Sequence, residues 1–277
     1  MAILLTLLTW TLFTQGALPS QLVVPVVVVD GKGNPIRDMR TEEFEIEEGG
    51  KTRPAIRAEI DDRPLVVALV LDSSAALGTS YQSDFVPAAV TLLQGLPEGA
   101  QFTVWTTSDR PRQTVQLGTG LEDAQKQLRM VAPYGNNAVV DTIIAASQMF
   151  NQGGDRRSAV IVITTATMGQ VQVDVQAELP RASIRPMYLA AEVILTQQDG
   201  RVETALEYLA NRTAGRHERV FSTMAVQAQL EKMLEHLNSQ YRIAWEPAMD
   251  PRQAKLEFKS KRKGTKLLWA QRVSTAW

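Results

Sequence analysis

The sequence predicts an α/β protein: a doubly wound, mostly parallel sheet flanked by helices, carrying a small β module made from its N- and C-terminal strands. Three observations predict it. Continuous aliphatic runs such as LVVALVL and AVIVI read as strands covered on both faces. Between Arg63 and Ser239 such runs alternate with segments of helical period, the order of a parallel sheet with crossover helices. On either side, residues 21–60 and 240–277 show two-residue alternation and turn chemistry instead. A chain of 277 residues, 44% hydrophobic and 21% charged, has the material for one large domain or a medium one with an appendage.

The opening stretch, MAILLTLLTWTLFTQGALPSQ, is apolar from Ala2 to Phe13 and then small and polar, the order of a signal-peptide core and its cleavage region. A bilayer crossing takes about 20 residues, so the apolar run is too short to span one. Residues 1–20 are therefore expected to be a signal peptide, leaving a secreted or periplasmic chain without a transmembrane anchor. A buried N-terminal helix is the other reading of this run.

LVVPVVVVD follows as a strand, ended by the turn residues Asp30 to Pro35. Phe44 and Ile46 alternate with glutamates in a second strand, closed by Gly49-Gly50. GKGNP has no helix after it, so it reads as a tight turn and not as a phosphate loop. PLVVALVLD is the central strand, and Phe85, Ala88, Ala89, Leu92 and Leu93 mark a helix over 83–95. FTVWTTS and RQTVQLG are short strands, and helices over Leu121–Met130 and Ala138–Phe150 flank a polar loop at Pro133–Asn137. SAVIVITTAT and IRPMYLAAE are further strands. ALEYLANRTAGRH reads as a helix stopped by Gly215, followed by a short strand near Val220 and a helix over Val226–Leu237. QYRIAWEP and QAKLEFKSKRKGTKLLWAQRV return to β, the latter as a hairpin turning at Lys263-Gly264-Thr265. That hairpin is basic through Lys255, Lys259, Lys261, Arg262, Lys263, Lys266 and Arg272, and the acidic stretch Glu42–Glu48 is expected to face it within the same molecule.

Composition removes several function classes. A net charge of -1 gives no electrostatic excess for nucleic acid, and the absence of cysteine removes thiolate nucleophiles, disulfides and thiolate metal sites. Of the two histidines, His217 is expected at a helix end, where a cation suits the dipole, and His236 on the solvated face of LEKMLEHL. LDSSAAL lacks the glycines of a nucleophile elbow, and Ser73–Leu77 lacks the glycine-rich turn of a dinucleotide site. Nothing selects a catalytic carboxylate pair, so the chain reads as a non-enzyme.

Asp72 ends the central strand, where ligand crevices of open parallel sheets lie. LVLDSSAAL resembles the first loop of the metal-ion-dependent adhesion site of von Willebrand factor type A domains, written Asp-x-Ser-x-Ser. VVVVDGKGNPIRDMRTEEFEIEEGG, GNNAVVDTI, LANRTAGR and SQYRIAW resemble, in order, motifs of bacterial secreted proteins of acidobacterial type in which such a domain follows a β segment. The resemblance runs from about Gln21 to Trp245. It implies a domain over 63–239 flanked by N-terminal (21–60) and C-terminal (240–277) β segments. It also implies that the loops at the carboxyl edge of the sheet bind a protein partner, with Mg²⁺ as the family's cofactor.

Here Asp72 and Ser74 match the first and third letters of that motif, but the last serine is Ala76. Asn137 stands where the family places a threonine ligand. Thr165 stands where the family places its second aspartate. A hard dication wants oxygen ligands and balancing carboxylates, and Asp72 is the one confident carboxylate. Asp141, four residues on, is read as serving its helix N-terminus. The expectation is a degenerate site without a tightly held ion, whose binding face comprises Asp72, Ser73, Ser74, Asn137, Thr165, Tyr81 and Tyr134. If an ion is held, the ligands are Asp72, Ser74 and Asn137. Two alternatives stand beside this: a Mg²⁺-dependent adhesion module, and a structural subunit making contacts through its basic hairpin.

Overall fold

The structure, a computed structural model, describes residues 21–151, 155–165, 167, 178–195, 200–248 and 255–273. The expected signal peptide, 1–20, lies outside the described residues. Among those described, no helix is long and apolar enough to cross a membrane.

The α/β part is built on strands β5 (Leu65–Leu71), β6 (Gln101–Thr106), β7 (Arg112–Val115), β8 (Arg157–Thr164), β9 (Met187–Val193) and β10 (Arg216–Val220). They form one sheet in the order β10-β9-β8-β5-β6-β7, parallel except for the edge strand β7. Every residue of β5 and β9 is buried, which is why both read as unbroken aliphatic runs. Helices α1 (Val86–Gln94), α2 (Leu121–Arg129) and α5 (Val226–Leu237) cover one face. Helices α3 (Val139–Gln148) and α4 (Gly200–Arg212) cover the other. Pro87 in the first turn of α1 and Glu122 and Asp123 in the first turn of α2 are residues that suit helix starts.

The β part is a two-layer sandwich. One layer has the order β13-β1-β11-β4, from β13 (Thr265–Trp269), β1 (Leu22–Asp30), β11 (Gln240–Trp245) and β4 (Arg57–Ile60); the other is β12-β2-β3, from β12 (Leu256–Ser260), β2 (Phe44–Glu48) and β3 (Lys51–Pro54). Phe44, Ile46, Tyr241, Trp245 and Phe258 fill the space between, Trp245 and Phe258 meeting edge-on at 5.5 Å. Strand β1 has two working faces. Leu22, Val24, Val26 and Val28 point into the sandwich core, while Val27 and Val29 join the α/β core.

Several expectations are corrected. The basic segment is not a hairpin within one sheet: β12 pairs with β2 and β13 with β1, so the turn at Gly264 crosses from one layer to the other. The acidic partner is found, with Lys259 on Glu47 and Arg262 on Glu43 and Asp38. Helix α4 stops at Arg212, and Ala214, not Gly215, adopts the left-handed conformation at φ 59°. Gly215 is required for another reason: a Cβ there would sit 1.8 Å from the Tyr188 carbonyl oxygen. A π-helical turn over Tyr81–Phe85 precedes α1, and strands β3 and β4 were not foreseen.

Candidate functional site

Asp72 follows β5 and is fully buried. Its backbone N–H donates to the Ile163 carbonyl at 2.8 Å, extending the β5–β8 ladder by one residue into the loop. Oδ1 accepts from the Ser74 amide at 2.8 Å, an Asx turn that shapes DSS, and Thr107 Oγ1 lies 3.4 Å from it. Oδ2 accepts from Asn137 Nδ2 at 2.8 Å, the Thr165 amide at 2.9 Å and Thr165 Oγ1 at 2.6 Å, with Thr164 Oγ1 at 3.4 Å. Asn137 is held at both ends of its amide: Oδ1 accepts from Thr107 Oγ1 at 2.8 Å and Nδ2 also donates to Thr164 Oγ1 at 2.9 Å. A carboxylate only accepts, so the amide nitrogen must be the end facing Asp72.

Around this hub the loops are fastened to one another. Tyr134 N donates to Ser73 O at 3.1 Å, Ala75 N to Gly135 O at 3.1 Å and Ala138 N to Ser108 O at 2.9 Å. Ser73 and Ser108 share a hydroxyl contact at 2.9 Å, and both hydroxyls lie against the Thr107 carbonyl. Asp109 Oδ1 accepts from the Asn136 amide at 2.8 Å; Gly135 must be glycine there, since its φ is 66° and a Cβ would strike the Asp109 carboxylate. Ser74 Oγ is the exception, buried with no partner.

The structure thus brings together Asp72, Ser73, Ser74, Asn137 and Thr165 at the carboxyl ends of β5 and β8. Tyr81, expected on the binding face, is not on the surface. Tyr81 is 0% exposed, with its hydroxyl donating to Leu128 O at 3.3 Å, and burial pushes its phenol up. Its position in the π-turn aims the ring at the core under α1, a direction that spacing alone does not give. Tyr134 is 50% exposed at the rim. Sequence reasoning missed Thr107 and Ser108, although TTS ends a parallel strand as DSS does. It also missed Met130, Phe221 and Met224, each more than 80% exposed. Phe221 and Met224 lie in the loop after β10, beside Thr223, whose hydroxyl reaches Asp84.

The histidines are elsewhere than expected. His217 is in β10, not at a helix end, and its Nε2 meets the buried Glu192 at 2.7 Å across to β9. His236 is buried, not solvated; Nε2–H donates to the Ala214 carbonyl at 2.9 Å while Nδ1 has no partner. Burial lowers its pKa to about 4. Asp141 lies in the first turn of α3, where burial, and then Glu178, raise its carboxyl. Among the described residues no three aspartate, glutamate or histidine side chains cluster together.

No protein-family model matches the sequence, and no curated protein matches it. Solved structures do. The chain is similar to a von Willebrand factor type A protein from Catenulispora acidiphila at 10% identity and TM-score 0.54, over 93% of this chain and 75% of that one. It is also similar to proximal thread matrix protein 1 from the mussel byssus, in a structure with a zinc-occupied metal-ion-dependent adhesion site. There the identity is 17% and the TM-score 0.53, over 69% of this chain and 50% of that one, so this chain spans about half that protein's length. The order of the strands, the helices on both faces and these likenesses give the chain a von Willebrand factor type A-like fold, with extra antiparallel sheets formed from its two ends.

Proposed function

We propose that this is an exported, non-catalytic binding protein that engages a protein partner through the loops at the carboxyl edge of its central sheet. The observation that carries the reading is the fastening of three loops around Asp72, which holds Tyr134 at a rim where Met130, Phe221 and Met224 are also exposed. Fixed loops lower the ordering cost of association, and exposed aromatic and methionine side chains are the types enriched at interfaces. By likeness of fold, the reading is an interaction module.

The residues present do not suit a tightly held dication. A single carboxylate, already receiving four short hydrogen bonds, faces an amide nitrogen. The Mg²⁺-dependent alternative has one observation in its favour, the unpartnered hydroxyl of Ser74. The basic-hairpin alternative is weakened because Lys259 and Arg262 are engaged inside the molecule.

A photo-crosslinking residue placed at Tyr134 or Phe221 tests the reading, with Arg57 on the sandwich edge strand as the control position. Crosslinks to one protein partner from the two rim sites and not from the control are expected. Crosslinks arising from the sandwich alone would move the interface elsewhere.

A further inference from the structure

A carboxylate withdrawn from water needs its charge met either by a cation or by hydrogen-bond donors. Asp72 receives two hydrogen bonds from side chains that differ from a cation-binding set: from the Asn137 amide at 2.8 Å and from the Thr165 hydroxyl at 2.6 Å. An N–H pointing at Oδ2 occupies the approach a metal ion would need, and it is itself fixed by Thr164 and, through the amide oxygen, by Thr107. Thr165 contributes its backbone N–H as well, so the loop after β8 is tied to the loop after β5 through one carboxylate oxygen.

We propose that Asn137 and Thr165 are a built-in replacement for a cation: they satisfy the Asp72 carboxylate by hydrogen bonding while it keeps its negative charge, and they lock the three loops in one arrangement without metal. The site is therefore preorganised whatever the divalent-ion concentration. One consequence rests on the interface proposed above. A partner carboxylate finds no ion to bridge to and meets the negative charge of Asp72, so the group seated over Asp72 is neutral or basic.

Calorimetric titration with Mg²⁺ and with Mn²⁺, paired with thermal unfolding in chelator and in millimolar ion, tests this on the full chain. For the wild type the expectation is no saturable binding and the same midpoint in both conditions. The variant Asn137→Thr/Thr165→Asp removes the amide donor and sets a second carboxylate against Asp72, the arrangement that calls for a dication. Its midpoint should fall in chelator and recover with Mg²⁺, and the recovery should vanish on adding Asp72→Asn. Saturable wild-type binding that Asp72→Asn abolishes overturns the proposal, as does a folded double variant that gains no cation affinity. If the double variant does not fold, Thr165→Asp alone serves, and the wild-type arm decides independently. None of these outcomes depends on crosslinking from Tyr134 and Phe221, so failure here is distinguishable from failure of the interface reading.

Discussion

At the scale of single residues, four positions carry more than their chemistry alone would assign. Asp72 is an acceptor hub, and Asp72→Ala strands the Asn137 amide, the Thr165 amide and the Thr165 hydroxyl in a buried space. A loss of about 3 kcal/mol or more in urea unfolding is expected. Ala214 holds a left-handed φ of 59° that costs an L-residue about 1–2 kcal/mol, so Ala214→Gly should raise stability by about 1 kcal/mol in the same assay. Gly215→Ala, one position on, should be strongly destabilising because the new Cβ meets the Tyr188 carbonyl. His236 has a pKa lowered to about 4 by burial, against 6.5 unfolded. Between those values the unfolded chain takes up a proton that the folded chain refuses, so stability falls as pH drops from about 6.5 to about 4. At about 1.4 kcal/mol per pKa unit the fall is about 3 kcal/mol. His236→Leu should remove that segment of the stability–pH curve, and an unchanged curve would show that other groups produce it.

At the scale of elements, pairing partners decide what a charged segment does. The lysine-rich stretch reads as one hairpin by its turn residues, yet β12 and β13 belong to opposite layers because Phe258 and Leu267 both face the sandwich core. Its cations then meet the glutamates of β2 and the turn before it. Arg262 holds the Glu43 carboxyl down at about 2, so that pair stabilises the fold above the ordinary carboxylate range and the contribution is lost as pH falls from about 4.5 toward 2. Both groups are half-buried, still reached by solvent, and salt should weaken the pair. Arg262→Met is expected to flatten the acid limb of the stability curve and to reduce its salt dependence, measured by thermal unfolding at low and high ionic strength.

For the whole molecule, β1 is the shared wall. Val26 and Val28 fill the sandwich while Val27 and Val29 pack on the α/β core, and Asp61, bound by Arg63 at 2.7 Å and approached by Arg242, pins the junction between the parts. Neither part keeps a complete core without that strand. A single calorimetric unfolding transition is expected, with Val26→Ala and Val27→Ala each lowering its midpoint. Two resolved transitions, each answering to one of the two substitutions, would show that the parts fold independently.

The sequence by itself determined the alternation of strands and helices, the parallel sheet and the placement of Asp72 at a strand's carboxyl end, because burial on two faces leaves unbroken aliphatic runs and strand ends are marked by polar residues. It also located Ser73, Ser74, Asn137 and Thr165 as neighbours of Asp72, through ordered motifs. What only the tertiary structure decided is where side chains point. Tyr81 turns inward on a π-turn, and His236 is buried under the Ala214 carbonyl despite an amphipathic helix. His217 pairs with Glu192 because β10 lies beside β9, and Phe221 and Met224 stand exposed in the loop between β10 and α5. Direction depends on which elements pack together across long sequence separations, and no local period of the chain encodes that.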